Sequence, residues 1–324
     1  MINLHWTRRI AGCLLATLAV ATGAQEVKLL VPAAAQRVPY AGQATMLAAV
    51  HAGTRIVAVG DHGVVLLSDD AGRTFRQAQA VPTDFTLTSV SFVDGNSGWA
   101  VGHAGMVLHT ADGGEHWAVQ HSDLQHDRPL FAVHFFDAQH GVAVGLWSLV
   151  LTTQDGGSTW QTVTMPVPQG AKKADLNLMG LFADGKGRVF ATAERGMLLR
   201  SDDRGANWTY LSTGYKGSFW SGLALPDGTL LAAGLRGSMY RSADDGNSWT
   251  RIETQSKSSI TAFTQAGIDV TAVGLDGLVL RSSDGGESFK ATVRDDRVSL
   301  TAVVLGDGHK FVLFSRQGVV NDAP

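Results

Sequence analysis

The sequence predicts an all-β fold, a seven-bladed β-propeller, on the strength of three observations. The pattern Ser/Thr-x-Asp-x-Gly-x-x-Trp/Phe occurs six times, and each copy follows a short apolar run and, upstream, Gly-x-x-Gly or a close variant. Successive copies begin 40 to 48 residues apart, which suits one four-stranded blade. Between the copies, apolar residues alternate in short β-rich runs and lack the i, i+3, i+4 spacing of helical repeats.

The first 24 residues are typical of a secretory signal peptide. Arg8 and Arg9 supply the positive charge, residues 10–21 form an apolar core, and small residues lead to Ala24. An apolar core of about 12 residues is too short to span a bilayer. We therefore expect cleavage after Ala24 and a periplasmic protein. The only cysteine, Cys13, lies in the removed segment, so the mature chain has no disulfide.

Residues 25–324 are long enough for seven units, and we expect them to form one propeller domain and a monomer. The formal charge of the full chain is −3, and loss of two arginines makes the mature chain more acidic. A mildly acidic chain argues against nucleic acid, which needs a basic surface. No stretch after residue 24 has the length and hydropathy of a membrane span.

Each unit can be divided into four strands. In the second complete unit we expect an inner strand over residues 88–93, a second over 99–101, a third over 106–109 and an outer strand over 117–120. The segment 94–98 between the first two has the composition of a turn. Similar inner strands begin at Met46, Leu87, Leu130, Leu178, Trp220, Ile260 and Leu300.

The last unit contains an inner strand but no Asp-containing turn, and the chain ends before an outer strand. Residues 26–31 resemble an outer strand such as residues 249–252. We therefore expect this N-terminal strand to close the last blade. Closure of this kind removes an exposed sheet edge that would otherwise invite aggregation.

The repeated Asp-containing turn has a physical explanation. The aspartate can accept hydrogen bonds from turn amides, and the glycine two residues later can adopt a positive φ. The aromatic residue buries a large apolar face, and the leading hydroxyl can bond to the backbone. Because all six copies keep these residue types, we expect a structural role for Asp70, Asp112, Asp155, Asp203, Asp244 and Asp284.

These turns resemble the Asp-boxes, or BNR repeats, of sialidases and related propellers. Six regularly spaced boxes, each with a Gly-x-x-Gly turn before it, are most similar to the photosystem II stability/assembly-factor-like propeller family. The resemblance covers residues 26–321. It implies a seven-bladed protein outside the membrane that binds protein, since photosynthetic members bind an early membrane-protein intermediate. The client class that it implies is a membrane or envelope protein.

The resemblance also implies that the boxes lie on one face of the ring, with the Gly-x-x-Gly turns and the blade-to-blade connections on the other. The second face is usually the functional one in propellers, and photosynthetic members carry an arginine-rich patch. The three arginines Arg195, Arg236 and Arg316 lie in corresponding turns and predict a basic arc. Other candidate protein-binding residues in these turns and connections are His62, His103, Trp147, Arg128 and Lys216.

The alternative function is a carbohydrate-active enzyme of the sialidase type. Residues 37–39, Arg-Val-Pro, are similar to the motif that carries the first arginine of the sialidase triad, and Tyr40 and Tyr215 fall in connecting loops. Glutamate is scarce in those loops, so we expect no catalytic site. His62, His103, His121 and His126 lack a recognised metal-site spacing, and we expect no metal and no cofactor.

Overall fold

The computed structural model describes residues 31–320, which form seven antiparallel sheets. Six sheets have four strands in sequential order, and the seventh has three. The strands are, in blade 1, β1 Met46–Ala52, β2 Arg55–Gly60, β3 Val65–Ser68 and β4 Arg76–Gln77; in blade 2, β5 Leu87–Phe92, β6 Gly98–Gly102, β7 Val107–Thr110 and β8 Ala118–His121; in blade 3, β9 Leu130–Phe135, β10 Gly141–Gly145, β11 Val150–Thr153 and β12 Gln161–Thr162; in blade 4, β13 Leu178–Ala183, β14 Val189–Ala193, β15 Met197–Ser201 and β16 Thr209–Ser212; in blade 5, β17 Phe219–Ala224, β18 Leu230–Gly234, β19 Met239–Ser242 and β20 Thr250–Ile252; in blade 6, β21 Ile260–Ala266, β22 Asp269–Gly274, β23 Leu278–Ser282 and β24 Lys290–Val293; and in blade 7, β25 Leu300–Leu305, β26 Phe311–Ser315 and β27 Gly318–Val320.

The helical content of the described residues is confined to short 3-10 turns. They comprise Ala41–Gln43, Asp61–Gly63, His103–Gly105, Leu146–Ser148, Leu235–Gly237, Leu275–Gly277 and Asp307–His309. Among residues 31–320, no helix is long and apolar enough to cross a bilayer.

The apolar cores lie between neighbouring sheets, and the series of cores closes into a ring. Blade 1 packs on blade 2 through residues that include Val57 and Leu108, and equivalent clusters follow between each later pair. The last cluster joins Ile56 of blade 1 to Phe314 of blade 7. This contact between the first and last blades confirms the predicted seven-bladed propeller.

Every inner strand carries a β-bulge one residue after its start. The pairing register between the first and second strands shifts at this position in all seven blades. Six of the seven bulged residues line the central channel, which has a volume of about 440 Å³. We call these residues the bulge ring: Leu47, Thr88, Phe131, Met179, Trp220, Thr261 and Thr301.

The predicted strands of the second unit agree with β5 to β8 to within one or two residues. One alignment was wrong: the sequence places Trp220 at the start of an inner strand, but Phe219 occupies that position and pairs with Gly234. Phe219 is fully buried, whereas Trp220 is half-buried at the bulge. Phe219 and Trp220 are both large aromatic residues, so the sequence pattern does not show which of them begins the inner strand. Only the pairing register of the first and second strands distinguishes them.

The predicted closing strand falls almost wholly outside the described residues. Of residues 26–31, only Val31 is described, and it lies outside any strand with 80% of its surface exposed. Two residues later, the Ala33 amide donates to Asp84 in the connection between blades 1 and 2. The closure of blade 7 by this segment stays a prediction.

Each Asp-box is held by its own side chains. In the fourth box the Ser201 hydroxyl donates to Asp203 at 2.8 Å and accepts from the Gly205 amide at 2.8 Å. Asp203 also accepts from the backbone amide and the side chain of Asn207. The box aromatic Trp208 is buried and donates its indole N–H to the Gly205 carbonyl at 2.9 Å. The same hydroxyl–aspartate and hydroxyl–glycine bonds occur in the other five boxes.

Candidate functional site

Hydrogen bonds separate the loops of the ring into two faces. The box turns bond to the hairpins between first and second strands, as when the Gly113 amide donates to the Asn96 carbonyl. The Gly-x-x-Gly turns bond to the connections before the inner strands, as when the Leu146 amide donates to the Pro129 carbonyl. We call these the box face and the connection face. All eight candidate protein-binding residues lie on the connection face.

The second of the two residues between the glycine positions of each Gly-x-x-Gly turn, which we call the tip residue, has a strained backbone. In six blades this residue has a φ between 54° and 58° although it is not glycine, and five of the six are exposed. Such a conformation costs about 1–3 kcal/mol and persists only where the surroundings enforce it. The tip residues of blades 1 to 6 are His62, Ala104, Trp147, Arg195, Arg236 and Asp276.

The surroundings that enforce this conformation are the neighbouring connections. A Cβ on Gly145, before the tip of blade 3, would lie 2.1 Å from the Pro129 carbonyl oxygen. Beyond the tip, the next connection supplies an acceptor for the tip amide. Asn177 accepts from the Trp147 amide at 3.1 Å, and Ser259 accepts from the Arg236 amide at 3.2 Å. The turn is therefore fixed on both sides.

Blades 3, 4 and 5 place Trp147, Arg195 and Arg236 at equivalent tips, one after another. Trp147 is 62% exposed, which leaves a large aromatic surface in water. The Arg195 side chain is also 62% exposed and lies 3.7 Å from Asp175, a long contact in a solvated position. Arg236 is exposed and forms no ion pair with another described residue.

Lys216 lies between the two arginine tips. Its connection bonds to the turn of blade 4, where the Gly196 amide donates to the Gly217 carbonyl at 2.7 Å. The same connection bonds to the turn of blade 5, where the Leu235 amide donates to the Ser218 carbonyl at 3.0 Å. Three cationic side chains and one indole are thus gathered over blades 3 to 5.

The remaining candidates lie apart from this group. Arg316 is exposed on the turn of blade 7, and blade 6 between them presents Asp276. The Arg128 guanidinium donates two bonds to Asp123, at 3.1 and 3.2 Å, so its charge is already paired. His62 and His103 are exposed on the turns of blades 1 and 2.

The central channel does not assemble the residues of a glycosidase. Among the described residues that line it there is no arginine, aspartate or glutamate, whereas glycoside hydrolysis needs two carboxyl groups beside the bond. Tyr215 is tied to the Leu235 carbonyl and packs against Phe219 and Tyr240. Arg37 and Tyr40 lie exposed on the N-terminal segment.

The histidines considered as metal ligands have other surroundings. His126 bonds to Asp123 at 2.8 Å, and burial lowers the pKa of His121. In the part of the chain that the structure describes, no three His, Cys, Asp or Glu side chains are grouped as a metal site would require.

The connection face and the seven-bladed ring can be compared with known proteins. The family model described as "Photosynthesis system II assembly factor YCF48" matches residues 53–121 and 119–264, which is more than half of the chain. The chain belongs to this family. The predicted resemblance is therefore confirmed. No curated protein sequence matches the chain.

Two solved YCF48 structures have the same fold as this member of the YCF48 family. "YCF48 bound to D1 peptide" is 20% identical, with a TM-score of 0.71 over 90% of this chain and 98% of that chain. "YCF48 from Cyanidioschyzon merolae" is 17% identical, with a TM-score of 0.69 over 89% of this chain and 97% of that chain. At these identities the likeness shows the fold and does not assign any residue.

Sequence reasoning missed two features of the face of this YCF48-family chain. It found the variable turns but not the strained conformation that their tip residues share. These tip residues are not glycine, and in sequence they do not differ from ordinary turn residues. It also missed the bulge ring. The ring depends on a register shift that exists only when the first and second strands of a blade pair, so the sequence of the inner strand alone does not show it.

Proposed function

We propose that this chain is a non-catalytic periplasmic protein that binds a protein client through its connection face, as an assembly or accessory factor for a membrane or envelope complex. The observation that carries the proposal is the group of exposed side chains over blades 3 to 5, held on strained turns. Membership of the YCF48 family and the solved structure of YCF48 bound to D1 peptide support the same class of function.

The chemistry of the face favours an acidic client segment. Arginine forms planar, bidentate hydrogen bonds with carboxylates, and exposed cations attract an acidic segment over a distance set by the salt concentration. Arg195 and Arg236 lie on the turns of neighbouring blades, Lys216 lies on the connection that bonds to both turns, and Arg316 adds a further cation on the same face. The group has a positive character although the whole chain has a formal charge of −3.

Charge reversal tests this proposal. We expect Arg195→Glu, Arg236→Glu and Arg316→Glu together to reduce client recovery from an envelope extract and to weaken its dependence on salt. The melting temperature should change little, because exposed substitutions usually alter the free energy of unfolding by less than about 0.5 kcal/mol. The readout is quantitative mass spectrometry of pull-downs at low and high salt.

A matched control reverses three cations of the box face. Arg73, Lys290 and Lys310 are exposed there, and their replacement by glutamate changes the net charge by the same amount. Arg73 pairs with Asp307, but both side chains are largely exposed, and such ion pairs contribute little to stability. Equal client recovery with the two triple variants would refute a binding role for these arginines.

A further inference from the structure

The threonines of the bulge ring link neighbouring blades. Thr88 Oγ1 donates to the Leu130 carbonyl of blade 3 at 2.8 Å, and Thr261 Oγ1 donates to the Leu300 carbonyl of blade 7 at 2.9 Å. Thr301 Oγ1 donates to the Met46 carbonyl of blade 1 at 2.5 Å. In each case the acceptor lies in the next inner strand. A hydroxyl at this position therefore stabilises the packing of one blade on the next.

Blades 3, 4 and 5 lack this link, as does blade 1 with Leu47. They carry Phe131, Met179 and Trp220 at the same position, and none of these side chains has a hydroxyl to donate. All three are half-buried, so apolar surface remains in contact with water. Phe131 and Met179 line the channel, and the Trp220 carbonyl lies close to Gly180 of the neighbouring blade. We call these three residues the apolar arc.

The apolar arc belongs to the same three blades as the exposed tips. In blade 5, Phe219 pairs with Gly234, which is two residues before Arg236, so the bulged Trp220 lies next to the base of that turn. The same register places Met179 near the turn of Arg195, and Phe131 near the turn of Trp147. An inner arc of apolar residues and an outer arc of Trp147, Arg195 and Arg236 therefore lie at the same end of the same three blades.

We propose that this surface binds an extended acidic peptide segment that contains at least one large apolar side chain. The apolar side chain enters the channel mouth against Phe131 and Met179 and extends toward Trp220 at the base of the blade 5 turn, and the flanking carboxylates pair with Arg195 and Arg236. The proposal rests on the proposed function and adds the apolar requirement. Large aromatic anchors in partly enclosed positions dominate the affinity of many interfaces, while exposed charges mainly set the association rate and specificity.

Selection from a phage-displayed library of random linear peptides tests the chemistry of the ligand. We expect the mature protein to enrich peptides that combine several carboxylates with a Phe, Leu, Ile, Met or Trp residue. Enrichment of acidic peptides without an apolar preference would overturn the apolar anchor and leave the proposed function standing. Failure to enrich acidic peptides would contradict both.

Replacement of the apolar arc by threonine, the residue of blades 2, 6 and 7, tests its location. The variant Phe131→Thr/Met179→Thr/Trp220→Thr can form the interblade bond of Thr88, so we expect it to fold. It should bind a synthesised enriched peptide about tenfold or more weakly, measured by fluorescence anisotropy. The loss should persist at high salt, where the contribution of the arginines is screened.

Leu47→Thr provides the matched control, since Leu47 is an apolar member of the bulge ring in blade 1, outside the arc. We expect it to leave the affinity unchanged. If the triple variant unfolds, the three single variants replace it, each with its melting temperature measured. Unchanged affinity in the folded threonine variants, or an equal loss in Leu47→Thr, would overturn the proposal.

Discussion

At the scale of single residues, the six box aspartates have depressed pKa values because hydrogen bonds stabilise their charged form. The Thr74 hydroxyl and amide lower the pKa of Asp70 to about 2, and hydrogen bonds from Ser282 and Ser288 lower that of Asp284 to about 2. In Asp203 burial acts in the opposite direction, but hydrogen bonds outweigh it and the pKa is still lowered. The box residue before the aromatic takes part each time, as Thr74, His116, Thr159, Asn207, Ser248 or Ser288.

These shifts predict how stability depends on pH. A carboxyl group whose pKa is lower in the folded state stabilises the fold above its unfolded value, near 3.8, and loses that contribution as the pH falls toward 2. We expect the melting temperature, followed by circular dichroism, to fall steeply between about pH 4 and pH 2.

The titration of His134 affects stability over a different pH range. Burial lowers the pKa of His134 to about 4. The free energy of unfolding therefore begins to decrease as the pH falls below the unfolded pKa of 6.5. The variant Asp284→Asn removes one titrating box and should reduce the fall between pH 4 and 2 only. A melting temperature that stays constant from pH 4 to 2 would contradict the proposed contribution of the boxes.

At the scale of elements, blade 7 differs from the others. Its described part has three strands in the order β25-β26-β27, so β27 is an edge in residues 31–320. A free edge presents unpaired backbone groups that can pair with another chain. The expected closing strand, residues 26–31, would cover that edge.

Deletion of residues 25–30 tests the closing strand and leaves the anchored segment after Val31 intact. We expect the deletion to lower the melting temperature and to produce aggregates in size-exclusion chromatography, because the edge of β27 would be exposed. Replacement of the same residues by a Gly-Ser sequence of equal length is the control for chain length, and it should be as harmful as the deletion. A deletion that melts and elutes like the intact monomer would disprove closure by this segment.

At the scale of the whole molecule, ring closure decides how much of the chain acts as one body. Thr301 bonds to Met46, and Phe75 packs edge-on against Phe314 at 5.6 Å, so the first and last blades are joined directly. A rigid ring holds loops from distant parts of the sequence at fixed positions around one mouth. This rigidity is what a binding face built from several blades requires.

Export is the corresponding prediction for the whole chain. We expect expression of the full sequence in a bacterial host with a periplasm to yield a mature chain that begins at Gln25, as measured by intact mass. The variant Leu15→Arg, which places a charge in the apolar core of the signal, should remain uncleaved and intracellular. A periplasmic product that retains Met1 would contradict the predicted cleavage.

The sequence by itself determined the repeat, the number of blades and the six boxes. The reason is that a box is a local structure. Its aspartate bonds to a hydroxyl two residues before it and to an amide and a side chain four residues after it, so the whole arrangement is visible in one short pattern. The turns were found for the same reason, because the glycines of the Gly-x-x-Gly pattern lie only a few residues apart.

Only the tertiary structure decided which of the turn residues act together. Trp147, Arg195 and Arg236 are more than 40 residues apart from one another in sequence, and ring geometry makes them neighbours on consecutive blades. The pairing register, which depends on contacts between strands, moved Trp220 from a buried position to the bulge ring.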